Sequence, residues 1–316
     1  MAIKFFYLYQ NHPMRALTFI CILLLSLNSF AQDYVDVLNI SYSEGFNADF
    51  EDNSGQTRVT SFDVGFTYPI VVNENNALIT GVDYSRTSLP LSFTASDSHL
   101  NSTTLKLGWA RTFNERWSAT LVFLPKIASD YKNIDGDDFY FGGFGVLKYQ
   151  QKENLLYRFG LYASSEAFGV IATPIFGIYY TSTDDLWEVD LSLPIAANIN
   201  YIVANNLKLG ADYVGLGRSY SLTTNNIKST YVQQNSLDFS LYLEKAFVDQ
   251  SILIRLKAGV STNDYELYDI DETIDLGLSA FRFGDDRTQL NQNISTAPFL
   301  KIEAIYRFYI QKDSAE

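Results

Sequence analysis

Apolar and polar residues alternate along much of the chain, and residues 300–310 show the pattern most clearly. Successive side chains of a β-strand point to opposite faces of its sheet. This run therefore predicts a strand with one charged face, which carries Lys301, Glu303 and Arg307. The other face is apolar and consists of Leu300, Ile302, Ala304, Tyr306, Phe308 and Ile310. In a soluble sandwich the apolar face would point inward, whereas in a membrane barrel it would face lipid, and the alternation alone allows both.

The same alternation recurs in fourteen segments after residue 32, and no segment keeps a helical period. Several segments exceed ten residues, against about five or six in a typical strand, and about nine to eleven tilted residues cross a bilayer. The lengths favour an all-β fold, a transmembrane up-and-down antiparallel β-barrel of about 14 strands. The predicted strands are residues 34–46, 58–71, 77–91, 101–113, 117–130, 138–150, 155–166, 170–182, 186–193, 196–203, 207–221, 234–246, 250–263 and 298–310. Pro194 is either a short outer turn or a kink in one long strand, and a kink gives the alternative of 12 strands.

The connections between these segments are of two kinds. Short polar turns lie near residues 73–75, 114–116, 152–154, 183–185, 204–206 and 248–250. Longer connections lie near residues 92–101, 131–138, 222–234 and 264–297. Bacterial outer-membrane barrels have short periplasmic turns, long extracellular loops and an even number of strands. The sorting of the connections therefore supports the membrane barrel.

The segment before the strands has the parts of a secretory signal peptide. Arg15 precedes an apolar stretch over residues 16–27, and the small residue Ala31 follows it. We expect cleavage after Ala31, so that residues 1–31 are a signal peptide and residues 32–316 form a single outer-membrane barrel domain. An uncleaved inner-membrane anchor is the alternative, although the apolar stretch is shorter than the ~20 residues of a transmembrane helix.

Two details of the N-terminus affect the mature chain. Residues 1–13 fit a signal peptide poorly, which makes Met14 a possible true start. The sole cysteine, Cys21, would leave with the signal peptide. Disulfides and cysteine-based metal sites are then excluded from the mature domain.

Charge and residue usage exclude several function classes. The formal net charge is -13 and no basic run follows residue 32, which argues against a nucleic-acid partner because phosphate contacts need clustered Lys and Arg. His99 is the one histidine of the predicted mature domain, so a histidine metal cluster is excluded there. The glycines of "FGGFGV" (residues 141–146) lie inside a predicted strand, where they do not form a phosphate loop. We therefore expect no cofactor.

Three loop segments are candidates for chemistry. Asp97, Ser98 and His99 are residue types of a hydrolase, but neighbours in sequence rarely face one another as a catalytic group requires. The acidic residues 133–138 resemble part of a calcium loop without the carboxylate at its twelfth position. The acidic residues 263–273 could bind a cation or a partner, although we interpret them as a solvated loop.

The chain resembles a family of uncharacterised outer-membrane β-barrel proteins of Gram-negative bacteria. The resemblance rests on "SFAQ" at residues 29–32, the regular hairpins, "NDYELYD" at 263–269 and "IYRFYI" at 305–310. It implies secretory export to the outer membrane of a Gram-negative bacterium, with membrane lipid and the barrel-assembly machinery as partners. Many such barrels end on an aromatic residue, whereas "QKDSAE" follows Ile310 here, which leaves open how the C-terminus is recognised.

Charged residues on the polar faces of the strands are the candidate functional residues. A charge that faced lipid near the midplane would cost about 2–4 kcal/mol, so these residues are expected to line the lumen. They are Lys106, Lys126, Arg158, Glu188, Asp190, Lys208, Asp212, Asp238, Glu244, Arg255, Lys257, Lys301, Glu303 and Arg307, with Asp63 and Lys148 beside them. The leading hypothesis is a non-catalytic, porin-like barrel that passes an unknown small solute or has a structural role. The alternatives are a secreted or surface β protein that binds a partner, and a barrel lipid hydrolase that uses the His99 loop.

Overall fold

A computed structural model describes residues 34–51, 55–92, 98–215, 217–224 and 227–309. The predicted signal peptide, Asp97 and Ile310 lie outside these described residues. Fourteen long antiparallel strands form one closed barrel in which each strand pairs with the barrel strand before it and the one after it. They are β1 Tyr34–Gly45, β2 Thr60–Asn73, β3 Asn76–Leu89, β4 Ser98–Thr112, β5 Trp117–Ser129, β6 Phe139–Lys152, β7 Leu155–Glu166, β8 Gly169–Thr181, β9 Trp187–Leu193, β10 Ala196–Ala204, β11 Leu207–Gly215, β12 Leu237–Phe247, β13 Ile252–Ser261 and β14 Ala297–Tyr309.

The ring closes between the first and last strands. Pairing of β1 with β14 runs from Tyr34 opposite Tyr309 to Gly45 opposite Phe299. Pro194 lies in a short turn between β9 and β10, which confirms fourteen strands and excludes the alternative of twelve. Closure pairs the edges of the first and last strands, which suits a structure that crosses a bilayer because lipid offers no hydrogen bonds.

The barrel carries its apolar side chains on the outside. In β14, Leu300 is 52% exposed, whereas Glu303 and Arg307 are 5% and 3% exposed. The orientation expected for this strand is confirmed, and a soluble sandwich with an apolar interior is wrong. None of the described residues forms a helix long and apolar enough to cross a membrane.

The two ends of the barrel differ. The turns after β2, β4, β6, β8, β10 and β12 and both described termini lie at one end, the periplasmic end of such a barrel. Aromatic rings pair at this end, with centroids 4.7 Å apart for Trp117 and Tyr149 and 4.9 Å apart for Trp187 and Tyr201. Amphipathic rings of this kind suit the membrane interface.

The connections at the other end contain further short elements. One prediction fails here: the strand expected over 207–221 ends at Gly215, and the following residues form a separate hairpin. The alternation continues through both pieces, so the sequence pattern shows no break where the chain leaves the barrel wall. These elements are the short strands Ala48–Asp49, Gln56–Thr57, Arg218–Thr224, Ile227–Gln234, Tyr265–Asp269, Leu276–Leu278 and Phe281–Phe283 and the 3-10 helix Gly136–Asp138.

Three of the short strands cover the extracellular end of the lumen, and we call them the cap. The cap consists of Arg218–Thr224 paired with Ile227–Gln234, which in turn pairs with Tyr265–Asp269. The cap is held by an apolar cluster drawn from most of the long connections and the adjoining strand ends. The fully or largely buried members are Ala48, Phe50, Leu89, Leu91, Leu100, Ala128, Tyr140, Tyr220, Val232, Tyr265, Ile294 and Ala297.

Polar contacts fix the cap to the wall. The Ser219 backbone N–H and hydroxyl both donate to Glu166, at 2.8 and 2.9 Å. The Thr223 N–H donates to Asp130 at 3.0 Å. Burial of apolar side chains together with these bonds makes the cap a packed part of the barrel.

Candidate functional site

A cavity of about 1220 Å³ occupies the lumen below the cap. On the side of β1 to β5 its wall consists mainly of small polar residues, such as Ser41, Ser85, Ser102 and Thr104. These small side chains leave space for the cavity, whereas larger charged side chains fill the lumen on the opposite wall. At Gly81 a Cβ atom would stand 2.3 Å from the Phe66 carbonyl oxygen, so any larger residue would have to displace the backbone.

Some of the predicted lumen residues line this cavity. They are Lys106, Lys126, Asp238, Lys301 and Glu303. Lys106 pairs with Asp83 at 2.6 Å. Lys126 pairs with Glu166 at 2.5 Å, and Lys301 lies 3.5 Å from Glu303. The cavity wall therefore carries charges of both signs within reach of a solute.

Other predicted residues are packed against one another on β11 to β14. Arg255 pairs with Glu244 at 2.5 Å and with Glu303 at 3.4 Å. Lys257 pairs with Asp212 at 2.5 Å and with Glu303 at 3.0 Å. The structure thus brings these side chains together into one network, which we call the ion-paired wall. Paired buried charges of this kind fill space and leave few free charges for a solute.

The ion-paired wall extends toward the periplasmic end. Lys208 pairs with Glu188 at 3.3 Å, and Glu188 also accepts a 2.7 Å hydrogen bond from the Tyr34 hydroxyl. Tyr34 belongs to β1 and Glu188 to β9, so this bond spans the lumen. Arg307 pairs with Asp36 at 2.5 Å and lies 3.5 Å from the centroid of the Tyr34 ring. Of the remaining predicted residues, Arg158 pairs with Asp190.

Lys148 also lies on the inner face, directly opposite Arg158 in the pairing of β6 with β7. No carboxylate of the described residues lies within ion-pair distance of Lys148. Lys148 therefore lies beside the pair of Arg158 and Asp190 without an ion pair of its own among the described residues.

The long connections add residues to the cavity that strand periodicity did not indicate. Arg218, Asp264, Glu266, Arg282 and Arg287 all face it. Burial raises the pKa of Asp264 and of Glu266. The acidic residues 263–273, which we interpreted as a solvated loop, therefore fold inward. The tyrosines of this stretch, Tyr265 and Tyr268, are buried, and they were the sequence signal for this inward fold.

The predicted loop chemistry is arranged differently from the expectation. Lys228 of the cap lies against the calcium-like loop, where its ammonium group contacts Asp135 and lies 2.7 Å from Asp138. The hydrogen bond from Lys228 lowers the pKa of Asp135. A lysine thus occupies the place that a cation would take, and the described residues contain no group of three or more His, Cys, Asp or Glu side chains placed to hold a metal ion.

His99 contacts a residue that sequence adjacency did not indicate. Its Nδ1 lies 2.9 Å from the Ser88 hydroxyl across the pairing of β3 with β4; His99 is exposed and Ser88 is half-buried. Ser98 is not its partner, and Asp97 lies outside the described residues. Within the described part of the chain no further hydrogen bond orients the ring.

A family model described as "Domain of unknown function (DUF6268)" matches residues 27–270. No curated protein matches the sequence.

Several solved structures are similar in fold. An outer membrane channel from Pseudomonas putida F1 has 10% identity and a TM-score of 0.42, over 90% of this chain and 98% of that one. The KdgM porin in complex with disordered oligogalacturonate has 9% identity and a TM-score of 0.36, over 86% and 99%. The Pseudomonas putida toluene transporter TodX has 11% identity and a TM-score of 0.34, over 87% and 80%. At these identities the function has to be argued from the residues of this chain.

Proposed function

This chain belongs to the DUF6268 family, and we propose that it passes a small solute through its lumen without catalysis. The observation that carries the proposal is the extent of the cavity. Its lining runs from Asp36, near the periplasmic end of β1, to Arg287 in the last long connection. One continuous space therefore extends along most of the lumen.

The size of the cavity bounds the solute. A typical site for a small molecule measures about 300–1,000 Å³, and the lumen space of about 1220 Å³ exceeds this range. A solute of a few hundred daltons fits, whereas a folded protein domain does not.

The charges of the cavity indicate which ions pass more readily. Carboxylates outnumber Lys and Arg in its lining, which includes Asp36, Asp63 and Asp83. A pore lined by an excess of carboxylates favours cations. We therefore infer a modest preference for cations or for neutral polar solutes.

Planar bilayers test the proposal. Purified barrel should give discrete conductance steps, and in a salt gradient the reversal potential should show cation preference. Protein unfolded by heat before addition is the control and should give no steps. If folded barrel shows no step at any voltage, passage is overturned and the structural role takes its place.

A second candidate function rests on the contact between Ser88 and His99. A serine hydroxyl beside a histidine ring nitrogen is the start of a nucleophile and base pair, and the pair lies on the outside of the barrel near lipid. Hydrolysis of a phospholipid by the purified barrel, lost in both Ser88→Ala and His99→Ala, would support it. No hydrolysis, or hydrolysis that either variant retains, would contradict it.

A further inference from the structure

The barrel wall is shorter at strands β9 to β11 than elsewhere. Strand β9 has 7 residues and β10 and β11 have 9 each, whereas β8 has 13. A strand needs about nine to eleven tilted residues to cross the hydrocarbon core. The seven residues of β9 fall short of this length, so the turn at Pro194 and Ile195, which tops β9 and β10, lies within the membrane layer.

A hairpin from the last long connection partly fills the wall above that turn. Leu276–Leu278 runs parallel to β8, with Gly277 opposite Ile171 and Leu278 opposite Ala172, and Phe281–Phe283 pairs with it. We call these two strands the lateral hairpin. Its outward residues are apolar and exposed, with Phe281 at 69% and Phe283 at 51%. Such a surface belongs in lipid, so the lateral hairpin is part of the wall.

An opening remains between the lateral hairpin and the Pro194 turn. Pairing of β8 with β9 begins at Phe176, and pairing with the lateral hairpin ends at Ala172. The edge of β8 over residues 173–175 is therefore without a neighbour among the described strands, a length of about 10 Å. We call this opening the lateral window.

The sequence suits an unpaired edge at this place. The Ser279 N–H donates to the Ala172 carbonyl at 2.8 Å, so the polar groups of Ala172 point toward the lateral hairpin. Backbone polar groups alternate in direction along a strand, so residue 174 points the same way, into the window. That residue is Pro174, which has no N–H to leave unpaired in lipid.

The lumen cavity reaches the frame of the window on every side. Its lining includes Thr173 of β8, the turn residues Pro194 and Ile195, Gly215 at the end of β11, and Ala280 at the tip of the lateral hairpin. The same cavity extends to Lys106 on the far wall. The cap covers the extracellular end of the lumen. Because the cavity reaches the window, the window connects the cavity sideways with the surrounding lipid.

One arginine at the window lacks a charged partner. Arg282 of the lateral hairpin donates to Asn235 at 2.9 Å and to the Ser279 carbonyl at 2.7 Å, and its buried Nε has no hydrogen-bond partner. No carboxylate of the described residues lies within ion-pair distance of Arg282, whereas nearby Arg287 pairs with Asp285 at 2.9 Å.

We propose that the lateral window admits a single-chain amphiphile from the outer leaflet, with its chain in the window and its anionic head bound by Arg282. The outward apolar residues suit the chain, and the polar cavity with an unpaired guanidinium suits the head. This rests on the proposed function, since the head enters the same cavity, where Arg282 offsets the excess of carboxylates at the window, and the window is tested separately from conduction.

The first experiment measures access from lipid in a Cys21→Ser background reconstituted in vesicles. Val214 lines the cavity at the window, and Leu241 faces lipid on β12. Val214→Cys should react with N-dodecylmaleimide, a reagent confined to the bilayer, at a rate near that of Leu241→Cys. Adding Ala280→Trp should slow the labelling of Val214→Cys about tenfold. It should leave unchanged both the labelling of Leu241→Cys and the reaction of Val214→Cys with a water-soluble sulfonated thiol reagent.

The second experiment tests the head group with dodecanoate as the probe. Dodecanoate should protect Val214→Cys from the sulfonated reagent, whereas dodecyltrimethylammonium should not. Arg282→Gln should abolish this protection, Arg282→Lys should keep part of it, and Arg111→Gln at the periplasmic end should keep all of it. The heat-induced change of gel mobility checks that each variant is folded.

The outcomes separate the window from the pore. Equal labelling of Val214→Cys with and without Ala280→Trp overturns the window, and undiminished protection in folded Arg282→Gln overturns the role of Arg282. If the labelling pattern holds but bilayers show no conductance, the window stands and passage falls. If conductance appears without lipid access, passage stands and the window falls.

Discussion

The two sides of the lumen solve the packing of a barrel interior in different ways. The side of β1 to β5 carries small polar residues that leave space for the cavity, and pairs such as Lys106 and Asp83 line that space. The side of β11 to β14 fills its space with buried ion pairs around Arg255 and Glu303. A charged inner face alone therefore does not make a pore. Buried ion pairs fill one side of this lumen, whereas small side chains keep the other side open.

Stability should change most when a pair in the ion-paired wall is broken. Glu244→Gln leaves the buried guanidinium of Arg255 without its nearest carboxylate, and breaking a buried pair costs about 3–5 kcal/mol. Asp83→Asn breaks a pair with a 43% exposed carboxylate, which should cost about 1 kcal/mol or less. The temperature at which the folded gel band is lost should fall much further for Glu244→Gln, and equal losses would refute the contrast between the two sides.

A second effect concerns the cap, which covers the lumen above the cavity. Val232 is fully buried in the apolar cluster, whereas Ile227 on the same hairpin is exposed. Val232→Asp buries a charge and should loosen the cap, which raises bilayer conductance severalfold. Ile227→Asp is the matched control and should leave conductance unchanged. A closed or unaltered channel in Val232→Asp would show that the cap does not limit passage.

A smaller effect is expected on ion selectivity as the pH changes. Burial raises the pKa of Asp264 and of Glu266, so both carboxyls take up protons at a higher pH than exposed ones. As the pH falls, the open cavity loses negative charge and the cation preference should weaken. Reversal potentials in a salt gradient measure this, and the double variant Asp264→Asn, Glu266→Gln should flatten the dependence. If the double variant shows the same pH dependence of the reversal potential as the unaltered chain, these two carboxyls do not set the ion selectivity.

The smallest effect is expected at His99. Its ring is exposed and contacts Ser88 outside the lumen, so His99→Ala should leave single-channel conductance unchanged. A changed conductance would place the His99 loop in the path of the solute.

Strand alternation predicted the barrel well because its two faces meet lipid and lumen. The orientation of residues 300–310 and the closure of β14 on β1 follow from it directly. The turn at Pro194 was ambiguous because a proline suits either a turn or a kinked edge, and only pairing partners decide between them. The cap strand Arg218–Thr224 was assigned to the wall, since alternation does not tell a barrel strand from a strand that folds over the lumen.

The candidate site was less predictable than the fold. Alternation gives the face of a charge but not its partner, so Arg255 and Lys106 looked alike although one is packed and the other lines the cavity. Arg282 and Glu266 come from long connections, where no periodicity states which way a side chain points. Their places depend on tertiary contacts far apart in sequence.

Passage of a solute through the cavity on the side of β1 to β5 can be tested directly. Thr104 lines that cavity, and its neighbour Leu105 on β4 faces lipid with 48% exposure. Single-channel conductance of Thr104→Trp should fall severalfold because the indole occupies the path, whereas Leu105→Trp should conduct like the unaltered barrel. Equal conductance of the two folded variants would contradict passage through this cavity.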